Sequence, residues 1–471
     1  MVSLDLGALR GLISPTEWQR SLEDLATLAL DRRLRLAVTG LRQSGKTVFI
    51  TSMIHHLITG RQLPFLRAAA EKRLLGSQLL PRTPGDLPAF PFARTRAALA
   101  EAQPHWPEPT HALTSLRTAL RFTTKGLLRQ RLVDRATLTL DVVDYPGEWL
   151  LDLPLLEQDF DTWSAAMLAL AGEAPRVRLA AEWREFAHGL DAAAPASLEA
   201  AHQAAELYRT YLHRCQREEG LSLLQPGRFT MPGELAGEDI LDFSPLPPGR
   251  APRGSLRALM AERFERYRTH VVRRFYSEHF RHFDRQIVLV DVLSLLNRGR
   301  AAFDDAKAAL GAVLESFRYG RTGLIGRLFR PEIDTLLFAA TKADHVAYNQ
   351  HHNLSRLLES MVADAAGRAR FEGVQPAFVA LAALKSTDTV QTEHHGQVLS
   401  CVRGRLKGED RETILFPGEI PPELPDEDDW EGGRFRFRDF APRRLELHTG
   451  ERPQHIRLDQ ALEVLIGDHL Q

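Results

Sequence analysis

The sequence predicts an α/β fold: a six-stranded, mostly parallel sheet with helices on both faces, interrupted by largely helical insertions. Three observations predict it. A short apolar run, Leu34 to Thr39, feeds a glycine-containing turn, Gly40 to Thr47, which opens an apolar helical stretch from Val48 to Ile58. Two later runs, Ile287–Val292 and Thr335–Ala340, are apolar almost without a break, as strands buried on both faces must be. Between the strands, apolar residues recur at three- and four-residue spacing, the mark of helices that pack on a sheet.

The turn reads Gly40-Leu41-Arg42-Gln43-Ser44-Gly45-Lys46-Thr47, or G-x-x-x-x-G-K-[ST], the phosphate-binding loop of the P-loop NTPases. Its chemistry explains its composition. Backbone N–H groups of the loop, from Gln43 through Val48, point at phosphate oxygens, and the helix dipole favours their charge. Gly40 and Gly45 let the backbone come close. Lys46 reaches the terminal phosphates, and Thr47 is placed to ligate Mg²⁺. Upstream, Ser14-Pro15-Thr16-Glu17 has the composition of a helix start, so residues 1–33 read as an N-terminal helical segment.

Residues 61–109 exceed what a minimal nucleotide domain needs, and read as an insertion in the first switch region. Within it, Leu66–Leu80 reads as helical, Pro81–Pro91 as loop and Phe92–Gln103 as a helix. Leu116–Phe122 alternates as a strand with one wet face. Ala136–Asp144 is the next strand, and it ends in Asp144-Tyr145-Pro146-Gly147, D-x-x-G. An aspartate at that strand end can hold Mg²⁺ through water, and Gly147 can turn its N–H onto a γ-phosphate. Thr110 is the expected switch threonine for the same ion, with Thr114 second.

Residues 150–286 are too long for one crossover and read as a second, mostly helical insertion. Its last helix, from Leu256 to Phe275, carries Arg257, Arg263, Arg266, Arg268, Arg273 and Arg274 on its polar face. Either a solvated face balanced by glutamates or a surface for an acidic partner or anionic lipid accounts for them; the mixed charge favours the first. The strand Thr335–Ala340 runs into Thr341-Lys342-Ala343-Asp344, and Phe378–Leu384 is the last buried strand. In the extension 386–471, Asp426–Asp429 reads as a solvated loop, Arg434–Arg438 as an edge strand and Leu458–Ile466 as a final helix.

Composition narrows the function classes. The chain has 471 residues, 44% of them hydrophobic, and a formal net charge of −1, so nothing supports a nucleic-acid binder. Two cysteines, Cys215 and Cys401, fit a reducing cytoplasm, and the paired histidines fit no metal spacing. No stretch is long and apolar enough to span a membrane.

In order, a phosphate loop, D-x-x-G, T-K-x-D and a small-residue turn resemble the Ras-like GTPases. The resemblance implies that Thr341, Lys342 and Asp344 read a guanine base, with the aspartate accepting from N1–H and the 2-amino group. Ala382-Ala383-Leu384 then stands where that family contacts the guanine oxygen, which assigns Ala383 and Leu384 to the nucleotide. A closer resemblance, over nearly the full length, is to the YcjX-like family of bacterial stress-associated proteins. It rests on the phosphate loop, Trp106-Pro107 before Thr110, Asp144-Tyr145-Pro146-Gly147-Glu148-Trp149, Phe416-Pro417-Gly418-Glu419-Ile420-Pro421 and Ile456–Leu462. It implies GTP/GDP and Mg²⁺ as cofactors, and a cytoplasmic protein, peripheral at the inner membrane where its unidentified protein effector is membrane-associated.

Two departures bear on catalysis. Glu148 stands where many Ras-like enzymes have a water-orienting Gln, so it would act through water or as a base with a raised pKa. Arg42 replaces a common glycine, and either neutralises transition-state charge in cis or points outward. Lys46, Asp144, Gly147, Glu148 and Arg42 are the expected catalytic set, and Thr47, Thr110 and Asp144 the expected metal set. A Mg²⁺-dependent GTPase switch is the expected function. The alternatives are a nucleotide-binding scaffold with negligible hydrolysis, or an ATPase.

Overall fold

The structure is a computed structural model and describes residues 32–471, apart from 109–111, 126–134, 318–332, 334, 372–375 and 448–452. Seven strands form the main sheet: β1 (Arg32–Gly40), β2 (Leu74–Leu79), β3 (Thr114–Thr123), β4 (Arg135–Asp144), β5 (Arg285–Val290), β6 (Thr335–Ala340) and β7 (Pro376–Ala380). They lie in the order β2-β3-β4-β1-β5-β6-β7. The five from β4 to β7 run parallel, while β3 is antiparallel to both of its neighbours. This is the doubly wound fold of the P-loop NTPases, with β1 between β4 and β5 at the place where ligands bind such sheets.

The sheet has one strand more than the sequence predicts. Arg67–Ala70 makes one helical turn, and the chain then becomes strand β2 instead of continuing as a helix to Leu80. Gly76 and Ser77 disfavour a helix there, and β3 offers an open edge to pair with. The last strand ends at Ala380 rather than at Leu384, because residues beyond it turn to pair with the C-terminal segment.

Each face of the sheet has its own core. Leu34, Leu36 and Val38 of β1 face the Lys46–Thr59 helix through Phe49, Ile50 and Met53, together with Leu458, Leu462 and Leu465 of the final helix. Alternation sends Ala37 and Val143 to the opposite face, where the 150–286 segment packs. That segment contributes Trp163, Trp183, Tyr208, Phe243, Phe264 and Tyr267 to one continuous aromatic core, which Trp149 joins from just before it. The insertion is therefore built onto the sheet through shared apolar contacts.

Its arginine-bearing helix differs from expectation. It runs Leu256–Tyr267, widens into a π-turn at Arg268–Val272 and resumes as Arg273–Glu278. Arg257 and Arg263 are buried: Arg257 pairs with Asp161 at 2.6 Å, and Arg263 donates to the Asp242 carbonyl at 2.9 Å. These two side chains tie the insertion together and do not belong to a solvated face, whereas Arg274 remains exposed and pairs with Glu278. A second, three-stranded antiparallel sheet, β8 (Thr387–His394), β9 (Gln397–Arg405) and β10 (Glu412–Leu415), follows the main sheet. Asp426–Asp429 is a capped helical turn, with Asp426 and Asp429 closing a reciprocal capping box. Arg434–Arg438 is irregular and pairs with no strand among the described residues; Phe435 and Phe437 bury themselves in the main core instead.

Candidate nucleotide site

The site is assembled at the carboxyl ends of β1, β4 and β6. After Gly40 the loop turns sharply: Leu41 N–H donates to the Leu289 carbonyl (3.2 Å), Gln43 takes φ 60° and Gly45 φ 83°. Lys46 then begins the helix. A Cβ on Gly40 would lie 2.4 Å from the Leu289 carbonyl oxygen, so only glycine fits between β1 and β5.

The D-x-x-G turn docks onto this loop. A Cβ on Gly147 would lie 2.4 Å from the Gly40 carbonyl oxygen, so the two motif glycines touch backbone to backbone. Thr39 Oγ1 donates to the Tyr145 carbonyl at 3.2 Å, fixing the turn to β1. Lys46 Nζ donates to the same carbonyl (3.3 Å) and lies 3.7 Å from Asp144 Oδ1. Asp144 is buried at the end of β4, and Thr114 lies opposite it in register at the start of β3. Thr114 Oγ1 is buried and accepts or donates no hydrogen bond among the described residues. Thr110, the first-choice switch threonine, falls outside the described residues.

These groups suit Mg²⁺. A hydroxyl at the helix start (Thr47), one carboxylate (Asp144) and an orphaned hydroxyl beside it (Thr114) are hard oxygen donors. Magnesium is typically held by one or two carboxylates together with phosphate oxygens and water.

The D-x-x-G turn and the helix that follows it are held by the 150–286 segment. Gly147–Glu157 is a 3₁₀ helix whose Trp149, Leu150, Leu153 and Leu155 are buried. Gly227 abuts it so closely that a Cβ there would lie 2.0 Å from the Glu148 carbonyl oxygen. Trp149 Nε1 donates to the Met231 carbonyl at 3.1 Å, while the Arg228 guanidinium stacks 3.3 Å above its ring. Asp152 accepts from Gly227 N–H (2.7 Å) and from the Tyr267 hydroxyl (2.5 Å); complete burial raises its pKa to about 6. Sequence reading missed Asp152, because its partners are 75 and 115 residues away.

Glu148 is half-buried. It lines a 220 Å³ cleft with Arg42 and Gln43 of the loop and with Gln216 and Arg217 of the insertion. Arg42 lies exposed along this cleft and donates to Gln216 Oε1 at 2.7 Å. Its guanidinium is thus engaged by the Leu198–Glu218 helix.

At the end of β6, Lys342 takes φ 57° and its ammonium contacts Asp291 (2.6 Å) and Asp439 (3.2 Å). Burial opposes that charge, but the two carboxylates outweigh it and raise the lysine's pKa. Thr341 Oγ1 donates to the Val290 carbonyl. The buried Asp344 carboxylate accepts at Oδ2 from both Ser386 N–H (2.7 Å) and Ser386 Oγ (2.6 Å), while Oδ1 accepts no hydrogen bond among the described residues. Ser386 is the residue that sequence reading overlooked. Of the residues expected there, Ala383 is half-buried, and Leu384 packs against Leu99 and Leu445 beside Val48 and Trp106. Their chain neighbour Ala382 exchanges hydrogen bonds with Ile456.

A profile of the YcjX-like family, DUF463, matches residues 34–470. The chain belongs to the YcjX-like family. It is similar to Ras-like GTPase YcjX of Escherichia coli (strain K12), with 42% identity over 465 residues covering 96% of this chain and 99% of that protein. It is also similar to Ras-like GTPase YcjX of Shewanella oneidensis (MR-1), with 37% identity over 467 residues covering 94% of this chain and 95% of that one. The YcjX-like match spans residues 61–109 and 150–286 as well as the sheet, so the contacts of Gly227, Arg228 and Met231 with the D-x-x-G turn lie inside the region it covers. No described helix is long and apolar enough to cross a membrane.

Proposed function

We propose that this YcjX-like chain is a Mg²⁺-dependent GTPase that cleaves GTP to GDP and phosphate and works as a switch. The observation that carries the reading is the packing of Gly147 on the Gly40 carbonyl, with Lys46 bridging Tyr145 and Asp144. This contact joins a phosphate-binding loop to a turn able to sense the terminal phosphate. The names of the E. coli and Shewanella relatives support the choice of GTP. So does Asp344, whose carboxylate Ser386 orients at the end of β6. On this reading residues 34–471 form one GTPase domain, with insertions at 61–109 and 150–286 and an extension from 386.

In the reaction a water oxygen bonds to the γ-phosphorus as the bond to the β,γ-bridging oxygen breaks, the β-phosphate leaves with the electron pair of that bond, and a proton of the water passes to an oxygen of the released phosphate. Lys46 exchanges its carbonyl and carboxylate contacts for phosphate oxygens. Thr47, Asp144 and a switch threonine would hold Mg²⁺, which when bound would supply positive charge to offset that on the phosphates. Glu148 orients the water through an intervening water molecule, because a carboxylate beside the γ-phosphate is repelled. The family resemblance supports a stress-response role and a membrane-associated effector, and with the two cysteines it supports a cytoplasmic setting.

A second reading is a GTP-binding scaffold with negligible turnover. Arg42 bound to Gln216, and Glu148 in place of Gln, favour it. The test is GTP against ATP binding, followed by single-turnover GTP hydrolysis with protein in excess, with Mg²⁺ and with chelator. Preference for GTP and Mg²⁺-dependent phosphate release support the GTPase. GTP binding without release supports the scaffold, and equal ATP binding overturns both.

A further inference from the structure

On the sheet face away from the phosphate-loop helix, the described residues line a cavity of about 640 Å³. That is the size of small-molecule sites. Its floor is the polar alternation of three strands: Arg33 and Arg35 of β1, Asp141 of β4 and Arg117 of β3. Its wall is the Leu79–Arg94 stretch of the first insertion, and Glu278 and His279 of the second close one end.

Charge in this cavity is unbalanced. Five arginines line it (Arg33, Arg35, Arg82, Arg94 and Arg117), against Asp86, Asp141 and Glu278. All three carboxylates are already engaged, Glu278 by Arg274 at 3.0 Å. Asp141 pairs with Arg33 and Arg117, each at 2.5 Å, and Asp86 pairs with Arg117 at 3.1 Å. Arg35 is left over. It is half-buried, its Nε is fully shielded from solvent, and its guanidinium makes no hydrogen bond or ion pair among the described residues. Burial lowers its pKa against the longer-range pull of Asp141 and of Asp284, whose carboxylate accepts from the Arg35 backbone N–H, yet a guanidinium stays charged, so the group is held cationic in the cavity with no acceptor in hydrogen-bond contact among the described residues. Such a charge is costly unless something pairs it. The opposite wall is apolar, with Leu79, Leu87, Phe90 and Phe92.

We propose that this cavity binds a small organic anion, a carboxylate, sulfonate or phosphate ester with an apolar body. Its head group is taken by Arg35 and its body lies along the Leu79–Phe92 wall. The site is separate from the phosphate loop, which lies at the far end of β1.

The test is a fluorescence titration of the full chain with 1-anilinonaphthalene-8-sulfonate, in excess GDP so that probe in the nucleotide site does not count. Saturable binding at one site per chain, displaced by decanoate and not by decanol, is expected. Arg35→Gln should weaken the probe at least ~10-fold, as loss of a charged hydrogen bond does. Ala93→Trp, at an exposed position on the rim, should block binding with the circular dichroism spectrum and all five arginines unchanged. Binding that does not saturate, or displacement by decanol equal to that by decanoate, overturns the proposal. So does wild-type affinity in either variant, and if Arg35→Gln does not fold, Ala93→Trp decides alone.

Discussion

Asp344 shows how much one side chain asks of its neighbours. Ser386 donates twice to Oδ2 and so fixes the plane of the carboxylate without any nucleotide. If the aspartate accepts from guanine N1–H and the 2-amino group, Asp344→Asn puts an amide donor against that amine. It suits the carbonyl that xanthine carries instead. A site of buried hydrogen bonds discriminates by up to ~10⁴-fold when a group is left unpaired. Competitive binding should show the variant losing GTP and gaining XTP; a variant that still prefers GTP refutes the base assignment. Ser386→Ala removes one orienting donor and should weaken GTP by roughly 10-fold, with ATP binding unmoved. Lys46→Ala should abolish tight GTP binding, and an unchanged affinity in that variant would show that the loop holds no phosphate. Lys46, Thr47, Asp144, Gly147, Lys342 and Asp344 were legible because each belongs to a motif with a fixed spacing. Ser386 and Asp152 were not, because their partners are set by where a distant loop returns to the sheet.

At the scale of elements, the strands that read clearly are those with a single possible environment. Ile287–Val290 and Leu336–Ala340 are buried on both faces, and their apolar runs say so. β2 was illegible for the converse reason: Leu75 and Leu79 are exposed and Gly76 breaks any period, so pairing with β3 decides its state. Arg434–Arg438 has the alternation of a strand, but its phenylalanines find the main core before its backbone finds a partner. The junction of β1 with the D-x-x-G turn is the element contact most open to test. Gly147→Ala places a methyl 2.4 Å from a backbone oxygen that cannot rotate away, so the turn must withdraw from the loop. A loss of about 1–3 kcal/mol is expected, as for other overpacked sites. Thermal melts should also show a smaller GTP-induced stabilisation than in wild type. A variant stabilised by GTP as much as wild type would show that the glycine contact does not transmit binding.

Across the whole molecule, buried titratable groups join the sheet layer to the C-terminal extension and make stability depend on pH. His56, on the phosphate-loop helix, faces His55 of its own helix and His455 of the extension, at ring separations of 5.3 and 5.0 Å. His455 in turn contacts the Gln62 carbonyl and lies 3.9 Å from Asp459. Burial first, then the neighbouring imidazoles, press the His56 pKa from 6.5 down to about 3. The sign follows from linkage. Between pH 3 and 6.5 the unfolded chain holds a proton on this imidazole that the folded chain refuses, so stability falls as pH falls. Between pH 7 and 5 one such histidine costs about 2 kcal/mol. Asp152 acts in the opposite sense: its raised pKa favours the folded state at low pH, and that contribution fades as pH rises through about 6. Comparing wild type with His56→Asn isolates the histidine from this opposing term. Urea midpoints at pH 7 and pH 5 should fall less steeply in the variant, whatever its stability at pH 7. Equal slopes would mean that the three imidazoles separate or admit water before they protonate, and that the extension is not locked to the phosphate-loop helix by this contact.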